Sequence, residues 1–292
     1  MMKTTTKLRE LIKSKELIVA PGAFSPLCAK MIQKVGFNCV YMSGYGVAAY
    51  RLGFPDVGLM TMNESLDTAR AIAQACDLPV IADVDNGYGN VINVKRTVEE
   101  YELAGVAGIQ LEDQSWPKRC GHMEGKVLIS AEEMVQKIRI AVASRKDPDF
   151  VIVARTDANT VLGFDEAIRR SNLYAEAGAD IIFFESPTSD EQVEKIPDLV
   201  HAPVMLNMSE GAKTPLRNNA EIRSLGYKLV IWPSSATWAA ARAIQEIYQI
   251  LKDKGTTGED LEKLILFHEF NDLIGLPEVM RLSDEYKTGT TY

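Results

Sequence analysis

Cysteine and histidine are scarce in this chain. Four cysteines, Cys28, Cys39, Cys76 and Cys120, in 292 residues are too sparse for a disulfide-built scaffold and show no paired metal spacing. A reducing, cytoplasmic setting fits such a chain. Positive charge is also in the minority, with 32 Lys and Arg against 40 Asp and Glu and a formal net charge of -8. That balance, with a pI near 5.1, excludes the basic face that nucleic acid or an anionic membrane requires. Long apolar runs are missing too. Hydrophobic residues make up 46% of the chain, enough for a large core, yet no window approaches the roughly 18 apolar residues of a membrane span. Residues 1–16 are charged and lack the apolar centre of a secretory signal. There is no low-complexity linker, and the chain reads as one domain with a tail.

What is present is alternation. Short apolar runs at 17–20, 39–43, 80–85, 108–113, 150–156, 181–185, 203–208 and 229–234 are mostly rich in Val and Ile. They lack polar alternation, as parallel strands covered on both faces do. Amphipathic stretches at 63–76, 91–104, 131–144, 164–177 and 236–252 lie between them. Ala104-Gly105, Ala177-Gly178 and Leu225-Gly226 place glycine where a left-handed helix end needs it, and Asn63 with Ser65 and Ser130 with Glu133 read as helix starts. Eight strand-helix units predict a (β/α)8 TIM barrel. A doubly wound sheet is the alternative, but no Gly-x-Gly-x-x-Gly follows the first strand.

A barrel places its chemistry at the C-terminal ends of its strands, and polar residues collect there: Tyr41 to Gly44, Asp83 to Gly87, Glu112 to Gln114, Arg155 to Asp157, Glu185-Ser186 and Asn207. Asp83 and Asp85, two apart and so expected on one side of a strand, would join Glu112 as hard oxygen donors. With few soft ligands at hand, Mg²⁺, or Mn²⁺, suits this set better than zinc. The alternative is a rim cluster of carboxylates paired with Arg155. Ser43-Gly44 offers backbone donors for an oxyanion or carboxylate, Arg155 a bidentate fork and Asn207 a further polar contact. The loop Lys118-Arg119-Cys120-Gly121-His122 joins a thiol to cations that would favour its thiolate form. Together these residues describe an enzyme for a small hydroxy-dicarboxylate or keto acid.

These motifs, with Asp83-Val84-Asp85-Asn86-Gly87-Tyr88-Gly89, Gln110 to Gln114 and Ala154-Arg155-Thr156-Asp157, resemble the isocitrate lyase and phosphoenolpyruvate mutase superfamily over nearly the whole chain. The resemblance implies a barrel whose last helix is exchanged between subunits of a dimer of dimers, that is, a homotetramer. Residues 1–257 would form the catalytic barrel and 258–292 a helical extension packed on a neighbouring subunit. It implies Mg²⁺ at the mouth, with Asp85 as the closest ligand and Asp83 and Glu112 acting through water. Ser43 and Gly44, with Tyr45 in the same substrate-binding group, would hold the pyruvyl end, and Arg155 a carboxyl group. Gly121, His122, Glu185 and Asn207 would line the pocket of the leaving carboxylate, with Cys120 as the general acid.

The implied reaction is carbon-carbon cleavage of a 2-methylmalate skeleton, since phosphonate mutases of this family lack the loop cysteine. Tyr41, Asp56 or a metal-bound water are open candidates for the base. Trp238 and Met123 stand where methylisocitrate-cleaving members are expected to carry arginines, so an apolar distal wall suits a methyl group better than a third carboxylate. The segments 252–257 and 267–271 resemble the branch that cleaves 2,3-dimethylmalate to propionate and pyruvate. 2-Methylisocitrate cleavage is the second expectation. Oxaloacetate hydrolysis is third, because Pro233 replaces a serine common in that group. A phosphonate mutase or a non-catalytic binding barrel accounts for fewer of these residues. His201 and His268 are expected to be structural, and Cys28, Cys39 and Cys76 to be small buried hydrophobes.

Overall fold

The computed structural model describes residues 2–287; residues 288–292, the end of the expected extension, lie outside the described residues. Eight parallel strands close into a barrel in the order of the chain: β1 Ile18–Ala23, β2 Val40–Met42, β3 Val80–Asp83, β4 Gly108–Glu112, β5 Val151–Thr156, β6 Ile181–Phe184, β7 Val204–Asn207 and β8 Leu229–Trp232. Closure is made where β1 meets β8, with Ile18 beside Leu229 and Ala20 beside Ile231. The helices are α1 Thr4–Lys13, α2 Pro26–Val35, the short α3 Gly44–Val47, α4 Met62–Gln74, α5 Val91–Leu103, α6 Ala131–Ser144, α7 Phe164–Glu176, α8 Asp190–Leu199, α9 Asn219–Ser224, α10 Ser235–Lys254, α11 Phe267–Ile274 and α12 Leu276–Glu285. The chain divides into two compact units, Met1–Thr237 and Trp238–Tyr292.

Each strand has an inner and an outer set of side chains, because successive residues point to opposite faces. Outward residues such as Val40, Met42, Ala82, Ile109, Leu111, Ile152 and Phe184 pack in the layer under the helices. Inward residues Ile18, Ala20, Cys39, Ile81, Val151, Val153, Ile181, Met205 and Leu229 fill the barrel, and Leu8 of α1 joins them. The same parity carries Tyr41, Asp83, Glu112, Arg155 and Asn207 inward at the upper ends of their strands. One alternation thus builds both the core and the mouth.

The glycine helix ends behave as the sequence predicts, with φ of 89°, 106° and 93° at Gly105, Gly178 and Gly226. The helix starts differ in part. Thr61, not Asn63, caps α4, in a reciprocal capping box with Glu64; the cap lies two residues earlier than the apolar periodicity suggests. Ser130 does accept from the Glu133 amide, without the reciprocal bond. Helices α1, α2, α8 and α9, not among the stretches read from the sequence, are short, and Pro197 lies inside α8. Among the cysteines Cys39 is buried, whereas Cys28 and Cys76 are only half-buried; all four are free thiols.

The second unit carries α11 and α12, neither of which contains a buried residue. Phe267, Phe270, Ile274, Leu276, Val279 and Leu282 are exposed there. Among the described residues no helix is long and apolar enough to cross a membrane.

Candidate active site

Strand β3 ends at Asp83, so Asp85 does not extend the strand as its spacing suggests. The chain turns, and Asp85 takes a left-handed conformation with φ 50°, one that a non-glycine residue adopts at a cost of about 1–3 kcal/mol when its surroundings hold it there. Those surroundings are on hand: the Asp85 amide donates to Asp83 Oδ1 at 3.1 Å, and the Glu112 amide donates to the Asp85 carbonyl at 2.9 Å. The three acidic residues therefore share one end of the barrel, all buried.

Burial raises the pKa of Asp83 and pushes Asp85 up to about 7, against the lowering pull of Lys118. Burial also raises Glu112 well above the ordinary carboxyl range, opposed by Arg155. Asp85 Oδ1 is in ion-pair contact with Lys118, whereas Glu112 Oε1 has no hydrogen-bond donor among the described residues. Buried carboxylate oxygens short of donors are the chemistry a hard divalent cation satisfies, so these residues fit Mg²⁺. Among the described residues no group of three or more His, Cys, Asp or Glu side chains is arranged to hold a metal ion. Lys118 Nζ already lies 2.7 Å from Asp85, and Arg155 Nε lies 3.5 Å from Glu112.

Arg155 is tied more tightly than its sequence reading implies. Its bidentate fork closes on Asp157, with Nε to Oδ2 at 2.8 Å and Nη2 to Oδ1 at 2.9 Å. Nη1 lies 3.4 Å from Glu185 Oε2, and the guanidinium rests over the Phe183 ring at 5.1 Å. Both readings of the mouth, metal ligands and rim ion pairs, thus use the same carboxylates. Ser43 caps α3, accepting from the Gly46 amide at 3.2 Å. Gly44 is required for closeness of another kind than expected: a Cβ there would lie 2.8 Å from Asp83 Oδ2, so the glycine makes room for the carboxylate.

The loop after β4 folds over this mouth. Lys118, expected only to bias the thiol, is buried and bridges Asp56 Oδ1 at 2.5 Å and Asp85 Oδ1 at 2.7 Å. The Cys120 amide donates to the Asp56 carbonyl at 3.1 Å. Gly121 lies so close to Arg155 and Glu185 that a side chain there would collide with both. Burial favours the protonated thiol, the form a general acid needs, over the thiolate that the neighbouring cations would favour. Burial, then the nearby Asp56 carboxylate, pushes the Cys120 thiol up to about 11, and the cations Arg155 and Lys118 do not compensate. They are spent on carboxylates. His122 approaches Ser186 Oγ at 3.3 Å through Nδ1 and Asn207 Nδ2 at 3.5 Å through Nε2, and Asn207 Nδ2 lies 3.4 Å from Glu185 Oε2. Ser186 is held at φ 55°. Tyr41 donates to Gln110 Oε1 at 2.6 Å, and burial raises its pKa well above the phenol range.

Tyr45 adjoins Gly44 in α3 and is half-buried. Trp238 belongs to the second unit. His201 and His268 are exposed and contribute nothing to this mouth. Sequence reasoning gave no role to Asp157, Asp113 or Lys126, all buried here. The period of two could have found Asp157, which shares the parity of Arg155. Lys126 carries no such signal, since it lies on a loop.

Barrels with this connectivity carry their chemistry at this end of the strands, and the molecule is an enzyme of the (β/α)8 class with a carboxylate-rich mouth closed by a loop. A family model described as phosphoenolpyruvate phosphomutase matches residues 8–252. Over 288 residues, 99% of this chain and 100% of the relative, the sequence is 50% identical to 2,3-dimethylmalate lyase of Eubacterium barkeri. It is 46% identical over 268 residues to 2-methylisocitrate lyase of Aeropyrum pernix, covering 92% of this chain and 86% of that one. Among solved structures, oxaloacetate acetylhydrolase in complex with 3,3-difluorooxalacetate superposes with a TM-score of 0.93 at 36% identity, covering 99% of both chains. Phosphonopyruvate hydrolase in complex with oxalate and Mg²⁺ does so with a TM-score of 0.88 at 32% identity, covering 98% of this chain and 99% of that one. The chain belongs to the phosphoenolpyruvate mutase/isocitrate lyase superfamily.

Proposed function

We propose that this enzyme is a Mg²⁺-dependent carbon-carbon lyase that cleaves a 2-alkylmalate, 2,3-dimethylmalate first, to pyruvate and propionate. The observation that carries the reading is the position of Cys120, half-buried in a loop whose Gly121 is seated on Arg155 and Glu185, where burial raises its thiol pKa. A carbanion-forming cleavage needs an acid of this kind, and a phosphonate mutase does not. Asp85, with Asp83 and Glu112 through water, would hold Mg²⁺, which supplies Lewis-acid polarisation of the substrate's hydroxyl when bound.

The residues of the chain do the rest. Ser43, Gly44 and Tyr45 hold the pyruvyl end, and Arg155, anchored on Asp157, contacts a carboxyl group. The tertiary alcohol loses its proton, its oxygen becomes the ketone of pyruvate, and the bond to the adjacent carbon breaks. Of the protein groups considered as base, Asp56 suits the task better than Tyr41, whose proton is engaged with Gln110. Gly121, His122, Glu185 and Asn207 line the leaving side, where Cys120 protonates the carbanion to give propionate. Trp238, standing where a tricarboxylate-cleaving member is expected to carry arginine, favours an alkyl group on the distal side. A reducing, cytoplasmic setting is part of the same reading, since the proposed acid must remain a free thiol.

The test is pyruvate release from 2,3-dimethylmalate, 2-methylisocitrate and oxaloacetate side by side, with Mg²⁺ and after chelation. Metal-dependent pyruvate from dimethylmalate, well above that from the tricarboxylate, is the expected result. Preference for methylisocitrate would move the protein to that lyase, and consumption of oxaloacetate to oxalate and acetate would move it to the hydrolases.

The same proposal covers assembly. Two helices with no buried residue and a row of exposed Phe, Leu, Ile and Val form a surface that water does not favour, and a neighbouring subunit of a homotetramer is its proposed cover. Light scattering is expected to give four times the 32.3 kDa chain mass. Substituting Phe267 and Phe270 by serine should shift the mass downward; a monomeric wild type would end this part of the reading.

A further inference from the structure

Lys126 is one of the buried cations that the proposed chemistry leaves unused. Its Nζ donates to the Gly121 carbonyl and to Asp157 Oδ1 at 3.1 Å. Burying an ammonium is costly unless it is paired and hydrogen-bonded, and here its two partners belong to different parts of the site. Gly121 is in the middle of the loop between β4 and α6; Asp157 directly follows β5. Asp157 is itself a fixed post. Its amide donates to Asp113 Oδ1 at 2.9 Å, while Asp113 Oδ2 accepts from Thr156 Oγ1 at 2.7 Å, Tyr174 OH at 2.8 Å and Arg170 Nη1 at 3.0 Å. The Asp157 carboxylate then holds the Arg155 fork on one side and Lys126 on the other.

The neck of the loop is anchored separately. The Ser115 amide donates to the Val127 carbonyl at 2.8 Å, and the Ile129 amide to the Asp113 carbonyl at 3.0 Å. The span between these anchors carries Cys120 and Gly121 and is held further by Arg119 on Gln114, Lys118 on Asp56 and Asp85, and the Cys120 amide on the Asp56 carbonyl. In the observed position Gly121 is seated on Arg155 and Glu185, and Lys126 holds its carbonyl from the side.

We propose that Lys126 is a positioning residue: it latches the loop over the mouth by the Gly121 carbonyl and, through their shared partner Asp157, couples that closed position to the orientation of Arg155. The inference rests on the lyase reading for its kinetic consequence, but the latch has a readout of its own. Cys120 is half-buried in the observed position, so lifting of the loop raises its rate of alkylation, while Cys39 lies in the barrel interior and reports unfolding of the barrel.

The experiment follows iodoacetamide labelling of Cys120 and Cys39 by peptide mass spectrometry in the Mg²⁺-loaded wild type, Lys126→Met and Lys126→Arg. A lost hydrogen bond from a charged donor shifts the open-closed balance by about 10- to 100-fold. Lys126→Met should therefore label at Cys120 faster by about that factor with Cys39 unchanged, and Lys126→Arg should restore much of the protection. On the preferred substrate, Lys126→Met should lower kcat by about 10- to 100-fold, with KM changed by less than about threefold. Unchanged Cys120 labelling in Lys126→Met overturns the latch. So does a parallel rise at Cys39, which would make the lysine a structural residue. If the labelling pattern is as expected but the wild type cleaves no alkylmalate, the latch stands and the lyase reading falls.

Discussion

Replacing Cys120 by alanine is expected to reduce turnover of the alkylmalate by about 10²–10⁴-fold, the range of a positioned general acid, with the fold intact. The side chain is half-buried on a loop, so its truncation leaves no core cavity and the thermal midpoint should stay near that of the wild type. The pH profile is the sharper half of this prediction. The competent form is the neutral thiol, and burial pushes its pKa up to about 11. Activity that depends on it should therefore be retained as pH rises past the ordinary thiol range near 8.5, and should be lost only on approaching 11. A serine variant keeps the size but supplies a much weaker acid, and it should resemble the alanine variant. Near-normal turnover in Cys120→Ala would show that another group delivers the proton. A decline already complete by about pH 9 would show that the thiol is not held as the geometry implies.

The second large effect is on stability. Arg155→Met keeps much of the aliphatic bulk over Phe183 but withdraws the guanidinium from Asp157, Glu185 and Glu112. Removing one partner of a buried pair costs about 3–5 kcal/mol, because the abandoned charge has neither solvent nor counterion. Burial alone would raise the Asp157 carboxyl; Arg155 and then Lys126 outweigh it and hold the group well below the usual range. Burial likewise opposes ionisation of Glu185, and Arg155 with His122 overcomes it. In the wild type these depressed carboxyls contribute stability that is fully present above the ordinary carboxyl range and lost as pH falls from that range through the lower pKa of the folded state. In Arg155→Met the sign reverses: carboxyls stranded without their cation bind protons more readily folded than unfolded, so acidification relieves them. Urea denaturation should show the largest deficit at pH 7 and a smaller one at pH 5. A deficit below about 1 kcal/mol, or one that grows on acidification, would mean that the arginine does not hold this cluster together.

The sequence by itself determined the barrel and the set of residues at its mouth. Eight short apolar runs separated by amphipathic stretches admit few architectures, and an alternation of period two sends Tyr41, Asp83, Glu112, Arg155 and Asn207 to the same end and face. These are local properties, dictated by strand geometry and the covering of both sheet faces, and they are readable wherever the pattern is regular. What lay outside them was decided only by the tertiary structure. Lys118 and Arg119 look like activators of Cys120 when read along the chain. In the fold Lys118 is drawn to Asp56 and Asp85, which come from other segments, and the half-buried thiol has its pKa raised rather than lowered. Asp85 leaves the strand and reaches its place through a left-handed turn that spacing does not encode. Lys126 and Asp157 acquire their roles because β4, β5 and the loop between them meet at one point. The physical reason is the same in each case: the state of a buried charge depends on the desolvation and counterions that distant segments bring to it, and these exist only once the barrel has closed.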